Sequence, residues 1–355
     1  MKAWAVVENG EPLKLIDLPM PTPRGTEVLL EVTHCGLCHT DIHMWEGHFD
    51  LGGGRKLAIR DRGVTLPLAL GHEVAATVVG LGPDAKGPEL GAKRIVFPWI
   101  GCGRCEACLA EQDNMCAQGK ALGLLQHGGH SSHVMVPHPR YLVDPGTIPL
   151  PVAATLACSG ITAYSALRKV MPLAADEPVV VIGAGGLGLT AISLLRALAH
   201  RNIVAVDVSG EKLAAASEAG ASQTVLSSGG DVAAALVEAC GRQPRAIVDF
   251  VNGAPTAALA FQVLRKGGTL VQVGLMGGEL VIPLALMTMR ALTVQGSYVG
   301  NLQEFRELIE LVQSGAVTPI PIEEVPVSEV NDALQRLTRG KVTGRLVLCG
   351  CAGAA

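Results

Sequence analysis

Hydrophobic positions fall into two textures along the chain. Over the first 150 residues, short β-type runs (KAWAVV, EVLLEVTHCG, VAATVVGLG, KRIVFPWIGCG and HSSHVMVP) are broken by Gly and Pro. That pattern predicts an all-β, barrel-like unit with irregular loops. From about residue 153 the texture changes. VVVIGAGGLGLTAISLLRALA is an apolar run, a glycine turn and then residues at helical period. NIVAVDVS, SQTVLSS, AIVDFVNG, TLVQVGLM and LTVQGS follow, with Ala-rich helical segments between them. Strand–helix alternation of this kind predicts an α/β unit with a doubly wound parallel sheet. Beyond about residue 297, NLQEFRELIELVQSG reads as an amphipathic helix and GRLVLCG as a last strand. The chain is therefore expected to return to its first unit, which gives one domain of 1–152 with 297–355 and another of 153–296.

Composition narrows the function. The 355 residues carry a net charge of −4 and are 49% hydrophobic, so there is no electrostatic case for nucleic acid or an anionic membrane. The hydrophobic content excludes disorder, and 43 glycines without a repeat exclude collagen-like order. Two uncharged stretches, 145–167 and 179–195, are interrupted by Pro, Gly and Ser/Thr and read as buried segments rather than membrane spans. The N-terminus turns acidic at once, with no apolar core of a secretory signal. The expected compartment is cytoplasmic, where ten cysteines are thiols or metal ligands rather than disulfides.

GCGRCEACLAEQDNMC places Cys102, Cys105, Cys108 and Cys116 at C-x2-C-x2-C-x7-C. Two-residue gaps turn neighbouring thiolates toward one centre, and four sulfurs suit a closed, structural Zn(II) site. An iron–sulfur cluster with similar spacing and unbound structural thiols are the alternatives. Earlier, HCGLCHTDIH carries Cys38; GHE carries His72; LACSGITAYSAL carries Cys158. Two thiolates and an imidazole from three segments would leave a fourth zinc position open, as a catalytic site requires. Singly, each signal also fits a core cysteine or a hydrogen-bonded His-Glu pair.

The run Val179–Ile182 is followed by Gly183-x-Gly185-x-x-Gly188, with Gly186 and Leu187 inside the turn, and then by a helix. Asp207 ends NIVAVD nineteen residues after Gly188. Glycines there allow a tight turn and close approach of backbone to a pyrophosphate at a helix N-terminus. An acidic residue at that spacing accepts from the adenosine ribose and repels a 2′-phosphate, which favours NAD over NADP. No arginine follows Asp207 directly.

Taken in order, CGLCHTD, GHE, the four-cysteine lobe, LACSGITAY and GAGGLG closely resemble the zinc-dependent alcohol dehydrogenases of the medium-chain dehydrogenase/reductase family. The resemblance covers essentially the whole chain. It implies a GroES-like β-barrel catalytic domain and a Rossmann coenzyme domain. It also implies NAD and two zinc ions, the catalytic one on Cys38, His72 and Cys158, and the structural one on Cys102, Cys105, Cys108 and Cys116. Glu73 would stand beside the catalytic metal, and Asp41 would fix the His72 tautomer. Thr40 and His43 would carry a proton relay, the alternative for Thr40 being a helix cap. His39 would contact the coenzyme pyrophosphate, Lys212 the ribose and Thr162 the nicotinamide, while Phe49 and Trp99 would wall the substrate pocket.

The chain departs from the pattern in two places. Ala76 replaces the last Gly of G-H-E-x-x-G. And 33 residues separate Cys38 from His72, more than many members carry, with the extra material around DLGGGRKLAIRDRGV near the expected cleft. The expected reaction is reversible oxidation of a primary or secondary alcohol by a homodimer or homotetramer. A polyol or sugar dehydrogenase of the same family, which often has a carboxylate where Cys158 stands, is the near alternative. A non-catalytic zinc- and nucleotide-binding protein is the alternative from another class.

Overall fold

The computed structural model describes residues 1–351. The first texture forms a seven-stranded sheet ordered Leu142–Val143, Lys93–Val96, Glu73–Leu81, Val28–Gly36, Arg345–Cys349 and Ile322–Pro326, with His133–Val136 also on Val28–Gly36. The last strand of the chain does pair with the first unit: Val347 lies opposite Gly36 and Leu348 opposite Cys35, antiparallel. Val28–Gly36 and Glu73–Leu81 pair with bulges at Leu29/Leu30 and Val32/His34. The second bulge re-aims the end of the strand and sets Gly36 directly opposite Glu73.

The second texture forms a six-stranded, fully parallel sheet. Its order is Gln223–Leu226, Ile203–Asp207, Val179–Ile182, Ala246–Asp249, Thr269–Gln272 and Thr293–Gly296. Val179–Ile182 is buried at every position, as expected of a strand covered by helices on both faces. The strand order reverses beside Val179–Ile182, and ligands bind at the carboxyl ends of the strands at such a switch point. The glycine turn leaves from that end.

One continuous helix, Leu150–Arg168, joins the two units. It is long and apolar enough to cross a membrane, but 78% of its apolar window is buried inside the fold, in line with its reading as a core segment. Its first part packs on Val28–Gly36 and Glu73–Leu81; its last part packs on the helix Gly186–Ala197. Between them the backbone widens into a π-helical turn over Leu156–Gly160. Such a turn shifts side chains by part of a helical step and is frequent at functional sites. Here it carries Cys158.

Candidate active site

The four-cysteine lobe closes on itself. The sulfurs of Cys102, Cys105, Cys108 and Cys116 lie within 4.8 Å of one another. Cys105–Cys108, Cys105–Cys116 and Cys102–Cys108 are 3.5, 3.7 and 4.0 Å apart. Tetrahedral zinc with Zn–S near 2.3 Å spaces its sulfurs by about 3.8 Å, so the spacing fits one shared ion. A disulfide would need about 2 Å, and all ten cysteines are free.

Cys38, His72 and Cys158 form the second group, all buried, with ligand atoms within 4.8 Å of one another. Cys38 is the N-cap of the helix His39–Glu46, and its sulfur lies 4.0 Å from that of Cys158. Thr40 is therefore in the first turn of that helix and not its cap. Asp41 organises the group from below. Its Oδ2 accepts the Cys38 N–H at 2.9 Å, its Oδ1 accepts the Gly71 N–H at 3.1 Å, and Oδ1 lies 3.3 Å from His72 Nδ1. With Nδ1 facing Asp41, the Nε2 of His72 is buried without a hydrogen-bond partner among the described residues. An orphaned imidazole next to two thiols fits a metal ion.

The electrostatics agree. The Cys38 thiol is held well below its ordinary range by the hydrogen bond with Cys158, despite burial, with His72 adding to the effect. Cys158 is pushed up by the same pairing. Burial pulls His72 down, but Asp41 and Cys38 more than offset it and leave the imidazole raised. The pairing thus favours the thiolate form of Cys38, the form that binds a cation.

Glu73 is fully buried beside this group. Its Oε1 accepts the Ser159 N–H at 3.1 Å, and its Oε2 pairs with the buried Arg345 guanidinium. Burial pushes the carboxyl up to about 7, against the pull of Arg345. A Cβ on Gly36 would lie 2.0 Å from Glu73 Oε2, so only glycine admits the carboxylate there. Arg345 has no motif around it, which is why sequence reasoning missed it. Its stem also fills the space where a Cβ on Gly186 would be, at 2.3 Å, so it links the metal group to the glycine turn.

At that turn Gly183 has φ +90°, a conformation that favours glycine. A Cβ on Gly188 would meet the Gly183 carbonyl oxygen at 1.8 Å, whereas one on Gly185 would meet nothing within 4 Å. One glycine permits helix–strand packing and another leaves the turn's outer face bare, as a pyrophosphate needs. Gly186 and Leu187 begin the helix Gly186–Ala197. Asp207 sits at the end of the adjacent strand; it accepts the Ala184 N–H at 2.8 Å and the Ser209 N–H at 2.9 Å. Lys212 is half-buried in the first turn of the next helix. His39, exposed at the cleft, lies within electrostatic reach of both Arg345 and Lys212. Thr162 is buried with an unpartnered hydroxyl among the described residues.

Thr40 accepts a 3.7 Å contact from the Cys38 thiol. His43, three residues on and so on the same helix face, has a buried, unpartnered Nε2 among the described residues. Its ring meets Phe49 at 5.0 Å. Trp99 packs on His72 at 5.6 Å and on Tyr298 at 5.7 Å. Phe49, Trp99 and Tyr298 all line one cavity of about 480 Å³. Tyr298 carries no signal in the sequence, where it is a lone tyrosine after a strand. The extra material before His72 is a short hairpin, His48–Asp50 with Lys56–Ala58, followed by a turn over Ile59–Arg62 that borders the same cavity.

Fold and site together define a dinucleotide-binding, metal-dependent oxidoreductase with one closed and one open thiolate cluster. The chain belongs to the zinc-dependent alcohol dehydrogenases of the medium-chain dehydrogenase/reductase family. Residues 24–146 match the family described as an alcohol dehydrogenase GroES-like domain, and residues 186–314 that described as a zinc-binding dehydrogenase. An NAD-dependent alcohol dehydrogenase of Sulfurisphaera tokodaii is 37% identical over 350 residues, 98% of this chain and 99% of the relative. The crystal structure of the alcohol dehydrogenase from Aeropyrum pernix superposes with a TM-score of 0.89 at 31% identity, covering 98% of this chain and 100% of that one. The D-arabinose dehydrogenase from Sulfolobus solfataricus superposes with a TM-score of 0.81 at 26% identity, covering 98% of each chain.

Proposed function

We propose that this chain is a zinc-dependent, NAD-linked alcohol dehydrogenase that interconverts primary or secondary alcohols with aldehydes or ketones. The observation that carries this reading is the three-donor cluster of Cys38, His72 and Cys158, joined through Glu73 and Arg345 to the bare glycine turn. Cys38, His72 and Cys158 would hold the catalytic zinc, and Cys102, Cys105, Cys108 and Cys116 the structural one. When bound, zinc supplies the Lewis acidity that makes an alcohol acidic near neutral pH, and NAD accepts the hydride. Overall the alcohol carbon loses a hydride to NAD and the hydroxyl loses a proton, leaving carbonyl, NADH and H⁺.

The chain's own residues do the rest. Asp41 holds His72 in one orientation. Thr40 and His43, on one helix face, lead the hydroxyl proton from the buried site toward solvent. Glu73 stays beside the metal ligands, tethered by Arg345. His39, Lys212 and Arg345 set positive charge around the turn formed by Gly183, Gly185, Gly186, Leu187 and Gly188, where the coenzyme phosphates would lie. Asp207 accepts the ribose hydroxyls, and Thr162 offers its free hydroxyl to the nicotinamide side. Phe49 and Trp99 wall the substrate pocket.

Residues 1–152 with 297–355 act as the catalytic domain and 153–296 as the coenzyme domain, a reading that the pairing of Arg345–Cys349 with Val28–Gly36 supports. Ten free thiols support a reducing, cytoplasmic setting. The exposed edge strand Thr293–Gly296, with Val281, Leu284 and Met289 exposed nearby, supports assembly into a homodimer or homotetramer.

Metal analysis with a coenzyme assay tests the reading. Two zinc ions per chain and alcohol-dependent NAD reduction are expected. One tightly held zinc without turnover on any of a panel of short, branched, aromatic and polyol alcohols would overturn it in favour of a non-catalytic protein.

A further inference from the structure

The cavity that Phe49, Trp99 and Tyr298 line, one ring away from His72, has an uneven lining. Its inner walls are aromatic: Trp99 touches His72, and Phe49 touches His43. At its outer side stands Arg62, whose guanidinium carbon lies 5.8 Å from the Phe49 ring centroid. Tyr298 spans the gap. Its ring meets Trp99, and its phenol lies within electrostatic reach of both Cys158 and Arg62. Phe49 thus stands between His43 and the guanidinium, while Trp99 and Tyr298 lead in turn from His72 toward it.

Arg62 is free where its neighbours are not. In the same inserted segment Arg55 pairs with Glu279 of the coenzyme domain at 2.6 Å, and Arg60 approaches Asp61 at 3.8 Å. Arg62 has no hydrogen bond or ion pair to any described residue. The other charged side chain of the lining, Asp113, is already held by Arg140 and by the Tyr141 hydroxyl. The lining thus presents one uncompensated positive charge. The turn that carries this exposed side chain is anchored: Ile59 is buried at its start, and Gly63 closes it with φ +85°. The Arg55–Glu279 pair ties the hairpin across the cleft.

We propose that the cavity selects alcohols, and the matching aldehydes or ketones, whose apolar or aromatic body ends in a carboxylate, and that Arg62 recognises that carboxylate. The inference rests on the dehydrogenase reading and adds a substrate class to it. A volume of about 480 Å³ suits a small ligand. The planar guanidinium fork matches a carboxylate in two parallel hydrogen bonds. A single cation favours a monoanion over a phosphate ester, which needs more than one. The hydroxyl end then faces the Trp99 side of the cavity, next to His72, and the carboxylate end the hairpin.

A matched pair of substrates, para-hydroxymethylbenzoate and para-hydroxymethylbenzamide, tests this in wild type and in Arg62→Gln. Two readouts are taken on the zinc-loaded protein: kcat/KM with NAD, and equilibrium binding of each alcohol to the non-reacting complex with NADH. Wild type is expected to favour the carboxylate by at least about fivefold in both, as a charged hydrogen-bonded contact supplies. The preference should shrink with added salt and vanish in Arg62→Gln. Equal handling of the pair by wild type overturns the proposal. So does a preference that survives in Arg62→Gln, because the anion would then sit on the metal instead. Turnover of both alcohols without a preference removes the role of Arg62 and leaves the dehydrogenase reading intact. A binding preference lost in Arg62→Gln without turnover supports the role of Arg62 and removes the dehydrogenase reading.

Discussion

Cys158 would be an ordinary core thiol on a regular helix, since apolar residues surround it in LACSGITAYSAL. The π-helical turn aims it at Cys38 instead. Gly36 and Glu73 show the same dependence on a partner, the one leaving room for the other. His130 is a further case. It is fully buried, and neither ring nitrogen has a partner among the described residues. It packs so closely on Gly71 that a Cβ there would lie 2.5 Å from its ring. Burial pushes its imidazole down to about 4, so it is neutral in the folded protein. Between about pH 6.5 and pH 4 the unfolded chain binds a proton that the folded chain does not, so stability falls as pH falls. In urea unfolding, the stability of wild type relative to His130→Phe should drop through that window, with a slope approaching about 1.4 kcal/mol per pH unit. A pH-independent difference would refute the neutral, buried state.

Elements differ in how far sequence reveals them. The glycine turn was legible because a strand, a fixed glycine spacing and an acidic residue at the next strand end are all local signals. The four-cysteine lobe was legible for the same reason. The hairpin before His72 was not, because its Gly-rich, charged sequence carries no hydrophobic period and its partner Glu279 lies far along the chain. Nor was Arg345, whose role depends on the last strand of the chain returning to pair with Val28–Gly36. The lobe is too polar to fold without its ion, so Cys105→Ser should lower the melting temperature by several degrees and release one zinc on gel filtration. Loss of one zinc with an unchanged melting temperature would show that the lobe is not stapled by metal.

At the scale of the molecule, chemistry is assembled from distant parts of the chain. The metal donors come from a helix N-cap, the residue before a strand and a π-helical turn. The last strand then delivers Arg345 between Glu73 and the coenzyme turn. The doubly wound sheet and the β-rich first unit were readable from the hydrophobic pattern. The closeness of Cys38, His72 and Cys158 was not; it came from family resemblance and is borne by three-dimensional contact. The most direct test of Cys158 as a catalytic metal donor is the rate of alcohol-dependent NADH formation by Cys158→Ser beside wild type. A loss of at least about a thousandfold in kcat/KM is expected, comparable with removing a main electrostatic stabiliser, while folding and the structural zinc are kept. A Cys158→Ser protein that retained the wild-type rate would contradict it.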